Sequence, residues 1–235
     1  MKGIRQNVTL SWKGGVFMTF NNEIEFLLSK FSHEIRNPLT TLYSTIQFIE
    51  MKHPEVKEIK HWSNLAYDIE YMNQLLDEFS NFAKSERLNL ATIEMRPFLE
   101  HLSLSFASSL AQTEVEYTSK IDPCISQITG DKTKLQEVFF NLLKNAFDAT
   151  KPIGSICFRA FMEDSQLVVT VEDTGCGIEE EQLSNIFDPF VTYKKDGTGL
   201  GLAICDHIIK AHGGSISVTS EPGVGTMFRV TLRTE

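Results

Sequence analysis

The sequence predicts two unlike halves, an α-helical hairpin and then an α/β domain. Glycine placement is the first reason. Residues 21–86 contain no glycine and only the prolines Pro38 and Pro54, whereas residues 114–235 hold most of the glycines. Hydrophobic period is the second. Apolar residues recur every three or four positions in the first half, while the second mixes alternating, strand-like runs with helical ones. The boundary is expected near Asn89, giving units 21–88 and 89–235. Residues 1–20, with a turn-like Lys13-Gly14-Gly15, are left unassigned, either a true N-terminus or the end of an upstream domain.

Composition narrows the function classes. A chain of 235 residues makes one large domain or two small ones, and either buries a core. A net charge of −9 speaks against general nucleic-acid binding and against adhesion to anionic membranes. No apolar run approaches the ~18 residues of a spanning helix, and residues 1–20 lack the layout of a signal peptide. The expectation is therefore no membrane segment and a cytoplasmic location. Cys124, Cys157, Cys176 and Cys205 form no CxxC pair, so no disulfide framework or zinc knuckle is expected.

The first helix is marked by Ile24, Leu28, Phe31, Ile35, Leu39, Leu42, Ile46 and Ile49, which fall within an arc of roughly 80°. Lys52-His53-Pro54 ends it. Trp62, Leu65, Ile69, Met72, Leu76, Phe79 and Ala83 mark the second. Two stripes at heptad spacing joined by a short turn make an antiparallel hairpin, and pairing with a second copy would give a four-helix bundle, so a homodimer is expected. The alternative is packing of the stripes onto the chain's own second half.

The second half reads in order as a helix over 96–111, a strand over 115–121 and a helix from the N-cap Asp131 to about Thr150. Strands follow around Ile156, Phe158 and Ala160, and around Leu167, Val169 and Val171. An irregular glycine-rich region covers 173–197. A helix over about 198–211 is ended by His212-Gly213-Gly214. Residues 215–219 and 227–232 close as a hairpin around Pro222-Gly223-Val224-Gly225.

Several clusters carry chemistry. His33 lies roughly 160° from the middle of the first apolar stripe, so it is expected to face water. Asn37 shares its azimuth, Glu34 flanks it, and Pro38 removes the donor for the Glu34 carbonyl and should kink the helix. Glu137, Asn141 and Asn145 align at i, i+4 and i+8, with Lys144 and Asp148 on the same side of an otherwise apolar helix. Amide oxygens there suit Mg²⁺, which keeps waters and bridges phosphates, or else serve a structural hydrogen-bond network. Asp173-Thr174-Gly175-Cys176-Gly177 follows a strand; a carboxylate there can accept from an adenine amine, and glycines admit a flat base. Gly197-Thr198-Gly199-Leu200-Gly201 opens a helix whose free N–H groups suit phosphates, although it is neither a Walker A loop nor a dinucleotide fingerprint. Phe187-Asp188-Pro189-Phe190 stands between the two glycine boxes, as a lid anchor or as ordinary loop packing.

Ser32-His33-Glu34-Ile35-Arg36-Asn37-Pro38-Leu39 resembles the H-box of sensor histidine kinases. The later clusters, with Gly223-x-Gly225-Thr226, resemble that family's nucleotide boxes in the same order. The likeness covers about residues 24–235. It implies a HisKA-type dimerisation and phosphotransfer hairpin, then an α/β two-layer sandwich of the gyrase/Hsp90/histidine kinase/MutL type that binds ATP. By that resemblance, His33 would attack the γ-phosphate, Glu34 would act as general base, and Asn37 would orient water for dephosphorylating the partner. Asn145 with Asn141 would hold Mg²⁺, and Glu137 would support its water shell. Asp173 would read adenine, beside Gly175, Gly177 and Thr226. Lys144, Thr198, Leu200, Gly199 and Gly201 would sit by the nucleotide, and Lys194 or Lys195 would neutralise phosphate charge. The partner implied is a response-regulator receiver domain in another protein. Two other readings stand beside this one: a nucleotide-responsive scaffold or phosphatase, and an ATPase related to Hsp90 or MutL.

Overall fold

The computed structural model describes residues 16–85, 87–194 and 197–234; the side chains of residues 16–29 and of Phe31, His33 and Ala83 lie outside that description. The turn expected at Lys13-Gly14-Gly15 lies outside it as well. The chain divides into two compact units between Ala83 and Lys84. That division precedes the expected Asn89 because the backbone N–H of Asn89 already donates to Asp131 Oδ2 of the second unit, at 2.8 Å.

The first unit is the hairpin. Helix α1 spans Val16–Lys52 and α2 spans Trp62–Ala83, joined through a 3-10 turn at Pro54–Glu58. α1 begins inside the segment left unassigned, since nothing from Val16 to Phe20 breaks a helix. It also runs through Pro38. Around the missing donor, the hydroxyls of Thr40 and Thr41 donate to the carbonyls of Arg36 and Asn37, at 2.9 and 3.1 Å. Across the hairpin, Arg36 Nη2 donates to Asp77 Oδ1 at 2.5 Å, Tyr43 to Glu70 at 3.0 Å and Trp62 Nε1 to Glu50 at 3.0 Å. The stripes are only partly covered. Leu39 and Ile69 are buried, yet Leu42, Leu65 and Met72 remain 52%, 46% and 42% exposed.

The second unit is a two-layer α/β sandwich. Its main sheet holds β2 (Glu114–Ile121), β4 (Ile153–Glu163), β5 (Gln166–Asp173), β6 (Ser215–Glu221) and β7 (Gly225–Arg233) in the order β2-β4-β5-β7-β6. β2 and β4 run parallel and the other neighbours antiparallel, so the chain must cross over between β2 and β4, and helix α4 (Lys132–Thr150) lies in that crossover. Helices α3 (Met95–Ser109) and α6 (Gly201–Ala211) join α4 in the helical layer. Leu135, Phe139, Leu142 and Ile208 bury themselves with Ile156, Phe158, Val169 and Val230; each such side chain contributes about 1.5–3 kcal/mol. Phe139 meets Phe158 edge-on at 6.3 Å.

Several expectations shift. α3 starts at Met95 and ends at Ser109 rather than spanning 96–111. The irregular 173–197 region contains a one-turn helix α5, Glu180–Leu183, and α6 begins at Gly201 instead of Thr198. A two-stranded sheet of β1 (Ala91–Ile93) with β3 (Ile128–Gly130) was not foreseen, because three residues show no alternation. In β5 Val168 and Thr170 are buried as well as Leu167, Val169 and Val171. Val168 pairs with Phe161 on the far face of the sheet, and Arg229, ion-paired to Glu163, lies 5.8 Å over the Phe161 ring. The four cysteines carry no disulfide.

Candidate active site

On α1, Glu34 and Asn37 are exposed, and Lys30 Nζ stands 3.9 Å from Glu34. Ser32 and Leu39 are buried on the same helix. His33 lies on α1, and its side chain, whose outward direction was the expectation, lies outside the described residues.

The polar strip of α4 exists, but its members have separate partners. Asp131 caps the helix: its Oδ1 accepts from the N–H groups of Thr133 and Lys134, each at 3.0 Å. Burial pushes the Asp131 carboxyl up, and the N–H donors from Asn89, Lys134 and Thr133 outweigh it, so the net direction is down. Glu137 is held by Lys134 Nζ at 3.3 Å. Asn141 hydrogen-bonds the buried Cys205 thiol of α6, whose pKa burial drives far up. Asn145 Oδ1 accepts from Lys194 Nζ at 2.8 Å, and the same ammonium stands 3.6 Å from Asp148. Burial alone would raise the Asp148 carboxyl, but the Lys151 hydrogen bond and the charges of Lys194, Lys151 and Lys144 hold it below its ordinary range. Lys144 is exposed.

At the end of β5, Asp173 is buried and accepts from the Gly175 N–H at 2.8 Å and from the Thr226 N–H. Burial nonetheless pushes its carboxyl up, while the Lys194 charge pulls it down. Lys194 therefore links Asn145, Asp148 and Asp173 into one electrostatic neighbourhood. A carboxylate perturbed by burial beside a specific cation marks a candidate binding site.

The glycine boxes bend the chain around that neighbourhood. Gly177 has φ +71°, and a Cβ there would collide with the Glu221 carbonyl. Gly199 has φ +73°, and a Cβ would lie 2.5 Å from the carbonyl carbon of Phe190, whose N–H donates to Gly199 at 3.0 Å. A Cβ at Gly201 would meet nothing within 4 Å, so the N-terminus of α6 is open. Leu200 is fully buried, and only its backbone is available to a ligand. Thr198 Oγ1 accepts from the Leu200 N–H at 3.4 Å, and Thr226 is buried beside Ser220. Lys195 lies outside the described residues. The aromatic pair splits its roles, with Phe187 edge-on to Phe228 at 6.4 Å and Phe190 61% exposed. Sequence reasoning passed over Cys205 and Ser220. Neither stands in a glycine box, and each has a partner distant in sequence, Asn141 for Cys205 and the Ile178 N–H for Ser220.

Residues 23–88 match the His Kinase A (phospho-acceptor) domain, and residues 130–235 match the histidine kinase-, DNA gyrase B- and HSP90-like ATPase family. The chain belongs to the sensor histidine kinases. It is 32% identical over 207 residues to the signal transduction histidine-protein kinase AtoS of Escherichia coli, covering 88% of this chain and 34% of AtoS. It is likewise 32% identical over 209 residues to sporulation kinase C of Bacillus subtilis, covering 88% of this chain and 48% of that protein. The chain thus spans less than half the length of these curated relatives. The solved structure of full-length ShkA in complex with AMPPNP superposes with a TM-score of 0.73 at 25% identity, over 88% of this chain and 45% of ShkA.

For a sensor histidine kinase the metal question turns on Asn145. Its amide oxygen already accepts an ammonium, so it is a cation-facing hard oxygen. Among the described residues no three His, Cys, Asp or Glu cluster as a self-sufficient cage. One amide oxygen with nearby acids fits an ion that takes most of its ligands from water and phosphates. Asn141, engaged by Cys205, and Glu137, engaged by Lys134, fit less directly. Among the described residues no helix is long and apolar enough to cross a membrane.

Proposed function

We propose that this chain is an ATP-dependent protein-histidine kinase that phosphorylates His33 and passes the phosphoryl group to an aspartate of a response-regulator receiver domain. The observation that carries the proposal is the convergence of Asn145, Asp148, Asp173 and Lys194 in a unit of the ATPase family, in a chain whose hairpin bears His33, Glu34 and Asn37. Asp173 accepts from the adenine amine. The open N-terminus of α6 and Lys194 face the phosphates. An unprotonated ring nitrogen of His33 forms a bond to the γ-phosphorus as the bond to the β–γ bridging oxygen breaks, and ADP leaves with those electrons. Glu34 accepts the ring proton. Catalysis rests on positioning and charge neutralisation. Asn145, with Asn141, would hold Mg²⁺ and Glu137 would support its water shell; the ion would supply neutralisation of phosphate charge. The half-exposed stripe of Leu42, Leu65 and Met72 supports a homodimer closed as a four-helix bundle.

Incubation of the purified chain with γ-labelled ATP tests the proposal. A protein-bound label stable in base and lost in acid supports it. Steady phosphate release without a protein label supports the ATPase reading, and nucleotide binding with neither supports the scaffold reading. Asn145→Ala is expected to raise the Mg²⁺ needed for half-maximal labelling by about tenfold or more, the loss that even outer-shell partners of a metal produce. Its melting temperature should change little, because the Lys194 contact it removes is exposed. An unchanged Mg²⁺ requirement removes Asn145 from the metal site. Asn37→Ala should lower the ratio of regulator dephosphorylation to self-labelling by about tenfold or more if it orients the attacking water. Equal loss of both activities would assign Asn37 a structural role.

A further inference from the structure

Asp173, Thr226 and Ser220 form a row across three strands. Asp173 is opposite Thr226 in the β5–β7 register, and Ser220 is opposite Thr226 in the β6–β7 register. Asp173 and Thr226 are both buried, and the Thr226 N–H donates to the Asp173 carboxylate. Ser220 Oγ has three partners, each at 2.9 Å: the Ile178 N–H, the Gly225 carbonyl and Thr226 Oγ1.

Proton counting fixes every direction in this set. A serine hydroxyl has one proton and two lone pairs. The Gly225 carbonyl can only accept, so the Ser220 proton goes there. The Ile178 N–H can only donate, so it takes one lone pair. The contact with Thr226 must then use the second, which makes Thr226 the donor. With its proton turned toward Ser220, the Thr226 hydroxyl offers only lone pairs elsewhere. The neighbouring Asp173 carboxylate also only accepts.

We infer that Ser220 is a positioning residue that sets the hydrogen-bond polarity of the base site, making it accept-only and so selecting 6-amino over 6-oxo purine nucleotides. The inference rests on the proposed reading of Asp173 as the group that meets the base. A 6-amino group donates to such a site. A 6-oxo purine puts the acceptor O6 in that place; its N1–H can still donate to an Asp173 oxygen, but O6 and the Thr226 lone pairs are left facing one another without a proton between them. Without the Ser220 hydroxyl, the Thr226 proton is free to rotate back and serve a 6-oxo group.

The test is calorimetric binding of ATP and of ITP, its 6-oxo counterpart, to the full chain and to its Ser220→Ala and Ser220→Thr variants. The wild type should prefer ATP. Ser220→Ala should cut the ATP-to-ITP affinity ratio by about tenfold, the value of one hydrogen bond reversed, chiefly through tighter ITP. Ser220→Thr keeps the hydroxyl and should keep the ratio. General loosening of the sheet would weaken both nucleotides alike and leave the ratio unmoved, which overturns the inference, as does equal narrowing in Ser220→Thr. If Ser220→Ala does not fold, Ser220→Cys carries the test: its sulfur, a weaker acceptor for the Thr226 proton, should narrow the ratio part-way, and an unchanged ratio overturns the inference. A wild type that binds neither nucleotide defeats the ATP reading itself, whereas one that binds both equally defeats only the role of Ser220.

Discussion

His33→Gln should abolish the acid-labile, base-stable label from γ-labelled ATP while leaving nucleotide affinity within about twofold of wild type. Glutamine keeps a polar side chain of helix-compatible shape but has no nucleophilic ring nitrogen, so the reaction loses its acceptor rather than its geometry. The expected change is complete loss of label, because no neighbouring residue replaces the nucleophile: Glu34 and Asn37 are a carboxylate and an amide. Binding should survive because the nucleotide groups all belong to the second unit, in which Asp173, Asn145 and Lys194 are held by contacts made within that unit. A label that persists with the same acid and base stability refutes His33 as the acceptor. Loss of nucleotide binding together with the label would mean that His33 supports the site instead of receiving phosphate.

What was legible in the sequence followed from local physics. The first helix ends at Lys52 and the second runs from Trp62 to Ala83, as the stripes and Pro54 imply, since long runs of one hydrophobic period leave little choice. Asp131 announced its own helix because a cap acts within three residues. What was not legible depends on distant chain. Spacing put Asn141 beside Asn145, but its hydrogen bond to Cys205 comes from another helix. Leu200 looked like part of a phosphate loop because of its glycine neighbours, yet its side chain belongs to the core. α6 starts three residues late because the segment before it is pinned to Phe190 instead of capped by a local side chain. β5 also buries Val168, on the face opposite Leu167, Val169 and Val171, where Phe161 of the neighbouring strand lies across from it under Arg229.

Asp173→Asn should weaken ATP binding by about ten- to a hundredfold, the loss expected when a charged hydrogen-bond partner becomes neutral and one oxygen becomes a donor. The same variant should melt no lower than wild type near neutral pH without nucleotide. The reason is the direction in which burial pushes this carboxyl, which is upward. An acid whose folded value exceeds its unfolded one binds its proton more tightly when folded. Its stabilising contribution is full below the unfolded value, about 4, and is lost as pH rises through the raised folded value. At pH 7 the nucleotide-free protein therefore holds a buried charge that works against the fold, and asparagine removes it. Any melting advantage of Asp173→Asn should shrink as pH falls toward about 4, where the wild-type carboxyl takes up its proton. ATP should raise the melting temperature of the wild type and scarcely that of the variant. A variant that melts well below wild type at pH 7, or that ATP stabilises equally, would show that the Asp173 charge is there to brace the β5 turn through Gly175 and Thr226 and not to meet a ligand.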